Sequence, residues 1–442
     1  RTGHITVLGQ PVAITQQVLP ALATASLVVG PRAGSNTVIV VSPLSPWAAN
    51  VTSGSSWLHL PSGSQNGSNS ANLLFTFDAN SGATRTGVIT VSGRTVSVTQ
   101  AGSAYISARP PATLVSSGLA NSRGIALDAT GNVFLTVGNS VRKWSPGSST
   151  TIPIVTTGLA QPGGVAVDAS GNVFIADTDH NAIKQWIAAS NTVITLVSSG
   201  LSQPASVALD SSGNAYFTDG STVKRWLAAD NSVTTLVSSG LLFPQGIAVD
   251  AAGNVYVVDT GNSEVKEWIA DTRTLVTLVS SGLTLPRAVA VDASGNVYIT
   301  QSGQLKEWVA ATRTVITPPI TGLSIPQGVA VDGSGNIFVG DTGNSALKEL
   351  PYAFVDPAPI QVPARLGFGA LPLVLPNTQD LTSPYVPVSD QPWLTIGLVL
   401  DGQVNFACPF NLSATNRTGN ITVLGKSIPI TQAGSPVISP IS

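Results

Sequence analysis

A Gly-Leu pair recurs at residues 118, 158, 200, 240, 282 and 322, at spacings that alternate between 40 and 42 residues. Ten residues after each glycine stands an aspartate (Asp128, Asp168, Asp210, Asp250, Asp292, Asp332), and three residues later a Gly-Asn pair. In the fullest unit, Ile247–Val249 and Val255–Val258 read as strands around the turn Asp250–Asn254, where aspartate accepts backbone bonds and glycine supplies positive φ. A third strand carries Lys-x-Trp and a fourth is rich in Thr, Leu and Val. Four strands in roughly 40 residues, six times over, is the pattern of an all-β, six-bladed β-propeller. Residues 112–119 repeat a fourth strand and its exit, whereas the last unit, 322–350, stops after three strands. The early strand is therefore expected to complete the sixth blade and cover edges that would otherwise invite aggregation.

The segments DTDHNAIK (177–184), DTGNSEVK (259–266) and DTGNSALK (341–348) make these units similar to NHL repeats over residues 105–355, and His180 preserves the family's histidine. The resemblance implies a six-bladed propeller. Blades one, three and five depart from it with shorter loops at 137–139, 219–221 and 301–303, where a binding face would vary. Candidate loop contacts are Asn139, His180, Ser221, Asn262, Gln301 and Asn344.

The flanks hold a second repeat. Arg-Thr-Gly-x-Ile-Thr-Val-x-Gly occurs at 1–9, 85–93 and 417–425, each time with Thr-Gln fourteen residues after the arginine. Its alternation around a glycine reads as a β-hairpin. Trp47, Trp57 and Leu73–Asp78 precede the second copy; Tyr385, Trp393 and Gln403–Cys408 precede the third. Two β-sandwiches follow from this, at 26–102 and 362–434, with linkers at 18–25 and 356–361 and a tail at 435–442. They resemble BACON domains, immunoglobulin-like sandwiches of secreted bacterial proteins whose family name suggests carbohydrate binding.

Residues 1–17 are a terminal hairpin of such a sandwich without the rest of it. Either they belong to an upstream domain of a longer protein, or their apolar positions Ile5, Val7, Val12 and Ile14 complete a sheet in another subunit, a route to polymers. The chain has no methionine, so the natural start of translation is expected to lie elsewhere.

Only 10% of residues are charged, the net charge is −2 and no run of like charges occurs, so a nucleic-acid partner is not expected. The longest apolar stretch, Val18 to Gly30, is too short to span a bilayer and contains Pro20, which argues against membrane insertion. His4, His59 and His180 fall in separate segments, so no histidine cluster forms for catalysis, and no catalytic, cofactor or metal site is expected. The repeated aspartates are expected to serve turns. Trp144, Trp186, Trp226, Trp268 and Trp308 recur in register, which favours packing between blades over an exposed sugar platform. Trp57, Trp393 and Cys408 are assigned to sandwich cores. The expectation is a non-enzymatic, exported bacterial structural or adhesive protein at the cell surface or outside the cell, associating with its own copies. The alternative is a secreted propeller that binds a polysaccharide or peptide; a propeller hydrolase or lyase ranks third.

Overall fold

The computed structural model describes residues 2–7, 10–15, 19–42, 45–365 and 367–435, with backbone alone for those before residue 19. Six four-stranded antiparallel sheets lie between Ala112 and Leu350. In each, the strand following the Gly-Leu exit is innermost: Ser122–Leu127, Pro162–Val167, Pro204–Leu209, Pro244–Val249, Ala288–Val291 and Pro326–Val331. The sixth sheet runs Ala112–Val115, Ala346–Leu350, Ile337–Asp341, Pro326–Val331, so a strand from the start of the ring is its outermost member. A second clasp pairs Ile106–Ser107 with Phe354–Val355.

The inner strands approach one another through small residues. A Cβ added at Gly246 would lie 2.7 Å from the Cα of Ala288 in the next blade, which is why glycine or a small residue follows the Pro-x dipeptide. Farther out, aromatic side chains join neighbouring blades: Phe174 meets Trp226 and Phe338 meets Trp144, with ring centroids 6.3 and 6.4 Å apart. The recurring tryptophans are thus core residues; Trp144, Trp226 and Trp268 are buried, and Trp186 and Trp308 pack partly buried against the same clusters.

The repeated aspartates hold the turns. Asp168 Oδ1 accepts the amides of Ser170 and Asn172, and its Oδ2 accepts Asn172 Nδ2 at 2.8 Å; Asp128, Asp210, Asp250, Asp292 and Asp332 do the same in their blades.

The first sandwich packs a sheet containing Ser26–Val29, Arg94–Gln100, Arg85–Val91 and Trp47–Ser53 on one containing Ala21–Leu22, Gly34–Val41, Ala71–Phe77 and Leu58–His59. Ala21–Leu22 pairs with Val40 and Val41, so the sheet begins inside the stretch 18–25 that the sequence suggests is a linker. Ile360–Val362 likewise pairs in parallel with Ile430–Gln432 and starts the second sandwich within 356–361. Both deviations are short strands without the alternation that marks a strand in sequence.

The Arg-Thr-Gly and Thr-Gln elements have one physical basis in both sandwiches. Arg85 Nε donates to Gln100 Oε1 at 2.9 Å, Gln100 Nε2 donates to the Asp78 carbonyl, and the guanidinium lies 4.5 Å from the Trp57 ring centroid. Arg417, Gln432, the Pro409 carbonyl and Trp393 repeat the set. Thr2–Val7 and Gln10–Thr15 pair in the same register, with Thr2 opposite Thr15 as Thr86 is opposite Thr99. Among the described residues this hairpin joins no third strand. The side chains of Ile5, Val7, Val12 and Ile14 lie outside the described residues.

Both sandwiches dock on the propeller face that carries the Asp-x-x-Gly-Asn turns. Ile39 N donates to Ala293 O at 3.2 Å, Thr37 Oγ1 to Ser294 O, and Ser70 N to Asp271 Oδ2 at 2.9 Å. From the second sandwich, Thr378 Oγ1 bonds Ser334 Oγ at 2.8 Å. Ala101, Phe354 and Leu375 form a small shared core where the lobes meet. The opposite face, built from the exits and the loops between second and third strands, is left open among the described residues.

Candidate functional site

Alternation of long and short loops on the open face explains the 40/42 spacing. Blades two, four and six carry a single 3-10 turn, at Thr178–His180, Thr260–Asn262 and Thr342–Asn344; blades one, three and five make two-residue turns. In the long loops the threonine latches the blade to its neighbour: Thr178, Thr260 and Thr342 Oγ1 donate to the Pro204, Pro286 and Ser122 carbonyls at 2.9, 2.8 and 2.6 Å. In short-loop blades a threonine two positions earlier, within the second strand, substitutes, as Thr136 Oγ1 donates to Gly163 O and Thr218 Oγ1 to Gln245 O.

Beneath each long loop a buried aspartate ends the second strand. Asp177 Oδ1 accepts the Ala160 amide at 2.7 Å and its Oδ2 faces Lys184 Nζ at 2.6 Å, while that lysine also donates to the Gly158 carbonyl. Asp219–Lys224, Asp259–Lys266 and Asp341–Lys348 repeat the pair at 2.6 to 2.8 Å. Burial of such a charge is tolerable only when it is paired and hydrogen-bonded, and these are both. In blade one Val137 stands in the acid's place and Arg142 turns to Thr151; in blade five Gln301 does, and Lys306 turns to Thr317.

This network determines what the sequence-derived loop residues do. All six sit on the open face. Gln301 is buried and accepts the Thr284 amide, Asn262 and Asn344 donate to Asp259 and Asp341, and His180 Nδ1 lies 2.7 Å from Asp177 Oδ2. Asn139 Oδ1 accepts the Gln161 amide. Their polar atoms therefore serve the loop framework, and exposed Ser221, at the tip of a two-residue turn, is the exception. They are not brought together into one site.

What does converge is the mouth of the axial channel, a cavity of about 460 Å³ lined by the starts of the inner strands. The residue after each Pro, or after Ser122 in blade one, lines it, and in ring order these are Arg123, Gly163, Ala205, Gln245, Arg287 and Gln327. Arg287, Gln327 and Arg123 occupy the consecutive blades five, six and one, while blades two and three offer only Gly163 and Ala205. Among the described residues, no carboxylate lines the cavity. Arg123 donates to Gln161 Oε1 at 2.9 Å.

Two residues upstream runs a second ring. Asn121, Gln161, Gln203, Phe243, Leu285 and Ile325 all have positive φ, between 46 and 59°. Asn121 suits this conformation in blade one, whereas Phe243, Leu285 and Ile325 are 69, 55 and 53% exposed. A bulky or β-branched residue in the left-handed region carries strain, and these three gain no burial in return. Sequence reasoning missed both rings. The signal was the column on either side of the repeated proline, where the position is constant and the chemistry is not.

Among the described residues, no group of three or more His, Cys, Asp or Glu side chains is arranged to hold a metal ion, and no helix is long and apolar enough to cross a membrane.

The NHL repeat model matches residues 159–186, 241–268 and 323–350, the three long-loop blades, and the BACON model, described as "Putative binding domain, N-terminal", matches 47–101. A protein of unknown function from Bacteroides thetaiotaomicron superposes with a TM-score of 0.50 at 16% identity, over 76% of this chain and 98% of its own. A gluconolactonase from Xanthomonas campestris (TM-score 0.46, 21% identity, 55% of this chain and 90% of that one) and virginiamycin B lyase from Staphylococcus aureus (0.43, 12%, 56% and 99%) are also similar. No curated protein matches the chain. The fold and these motifs define an all-β propeller protein. Its six-bladed propeller carries NHL repeats in the three long-loop blades, and of the two flanking sandwiches the first matches the BACON model.

Proposed function

We propose that this chain is an exported recognition protein whose propeller binds a ligand at the axial mouth of its open face, with the two sandwiches forming a stalk on the other face. The observation that carries this reading is the exposed, positive-φ arc Phe243–Leu285–Ile325 beside an arginine- and glutamine-lined cavity. Strain kept at exposed positions marks a functional surface more readily than a structural one. Stacking on a neutral polysaccharide is less well supported, because the blade tryptophans are engaged in the core. The test is a glycan and peptide array probed with the wild-type chain and with the triple variant Phe243→Asn, Leu285→Asn, Ile325→Asn. Binding that the variant loses supports an open-face receptor; equal binding by both assigns recognition to another surface.

Self-association, the structural reading, is favoured by a separate observation on the second sandwich. Its edge strand Thr395–Leu400 is uncharged, pairs on one side with Gln403–Cys408, and exposes Leu398 and Leu400, while Phe368 is exposed on the other edge strand. Such an edge is a template for another strand. If it mediates assembly, light scattering will show concentration-dependent oligomers that Leu398→Lys, Leu400→Lys abolishes.

A further inference from the structure

Resting on the open-face reading, we infer that the ligand is an anionic amphiphile: a carboxylate or comparable anionic head carried on an aliphatic or aromatic body. The head is assigned by charge. Arg287 and Arg123 flank Gln327 around one side of the mouth, and a guanidinium presents paired donors that match a carboxylate or phosphate. The open-face loops offer little to neutralise them. Asp177, Asp219, Asp259 and Asp341 are buried against lysines, and Glu264 lies 3.3 Å from Lys266. Asp179, on blade two, is the exposed acid that remains on these loops among the described residues.

The body is assigned by the outer ring. Phe243, Leu285 and Ile325 stand two positions before Gln245, Arg287 and Gln327, so the apolar surface of blades four to six adjoins the cationic Arg287 of blade five and, across Gln327, Arg123 of blade one. On blades one to three the same ring is Asn121, Gln161 and Gln203. An anion without a body would leave the apolar arc uncovered, and a neutral apolar molecule would leave Arg287 without a partner. The small Gly163 and Ala205 open the far side of the mouth, so the asymmetry fixes one orientation: head toward blades five, six and one, body over the rim of blades four to six.

Calorimetric titration of the full chain with dodecanoate below its micelle concentration tests this, alongside acetate as the head alone and dodecyltrimethylammonium as the body with opposite charge. The expected result is saturable one-site binding of dodecanoate, absent for the other two. Arg123→Gln with Arg287→Gln should weaken it about tenfold or more, since each removes a charge-assisted bond. Ile325→Asn with Leu285→Asn should weaken it similarly. Sedimentation with phosphatidylglycerol vesicles separates the sources: arginine-dependent sedimentation assigns the head to a lipid surface, and its absence with dodecanoate still bound assigns a free ligand. Binding unchanged in the arginine variant but lost in Leu398→Lys, Leu400→Lys would place the amphiphile on the second sandwich and overturn the inference. If dodecanoate does not bind while the array still gives rim-dependent binding, the ligand class is wrong and the open-face reading stands. If neither occurs, both fail.

Discussion

At the scale of single residues, the informative feature is a conflict between backbone and side chain. Ile325 has φ of 53° and is half exposed, so it bears the steric cost of the left-handed region, about 1–2 kcal/mol, with little packing to offset it. Asparagine tolerates that conformation better than a β-branched residue, and Asn121 adopts it at the equivalent place in blade one. Ile325→Asn is therefore expected to raise the unfolding free energy by about 1 kcal/mol, read as a higher midpoint in urea titrations, while lowering affinity for the open-face ligand. A drop in stability would mean that Ile325 is held by contacts and that its strain is structural. Gain of stability with loss of binding is the pattern expected where function has displaced the locally preferred residue.

At the scale of elements, alternation between blades is carried by hydroxyls. Thr342 Oγ1 donates to the Ser122 carbonyl at 2.6 Å and lies 3.1 Å from Ser122 Oγ, joining the sixth blade to the first across the point where the ring closes. Thr342→Val keeps the shape and removes both bonds. It should cost about 1–2 kcal/mol and speed hydrogen exchange in Ser122–Leu127 and Ala112–Val115 more than in blades three and four. Uniform exchange around the ring would show that closure rests on strand pairing and core alone. The closure itself was legible from sequence, because counting strands leaves one unpaired at each end of the repeat. The loop residues were less legible: Asn262 and Asn344 read as free polar groups in sequence, yet their partners, Asp259 and Asp341, are brought to them only by the turn geometry. The sandwich starts were misread for a related reason, since Ala21–Leu22 and Ile360–Val362 are strands by virtue of their neighbours and too short to show a period.

At the scale of the whole molecule, the joint between propeller and sandwiches is where buried charge collects. A cavity of about 250 Å³ between the first sandwich and blades five and six is lined by Arg109, Asp292, Glu307 and Tyr352. Burial pushes the Glu307 carboxyl up to about 7; Arg109 opposes that rise and Asp292 adds to it. On the side of the second sandwich burial pushes Glu349 up to about 8, with Asp332 and Asp380 raising it further and Tyr385 lowering it. An unfolded glutamate loses its proton near 4.5. Between that pH and about 7 to 8 the native state therefore holds protons that the unfolded state has released, so stability falls as pH rises through this window and levels above it. The two carboxyls together should make the protein less stable at pH 9 than at pH 5 by roughly a few kcal/mol. Glu307→Gln and Glu349→Gln, which keep shape without the titration, should flatten that slope, as read from denaturant midpoints at each pH. Because both groups sit at the joint, wild-type exchange at alkaline pH should rise first in the turns around Ser294 and Ser334. Fast exchange beginning instead at the open face would mean that the sandwiches are held by their backbone contacts and that the buried glutamates do not govern the joint.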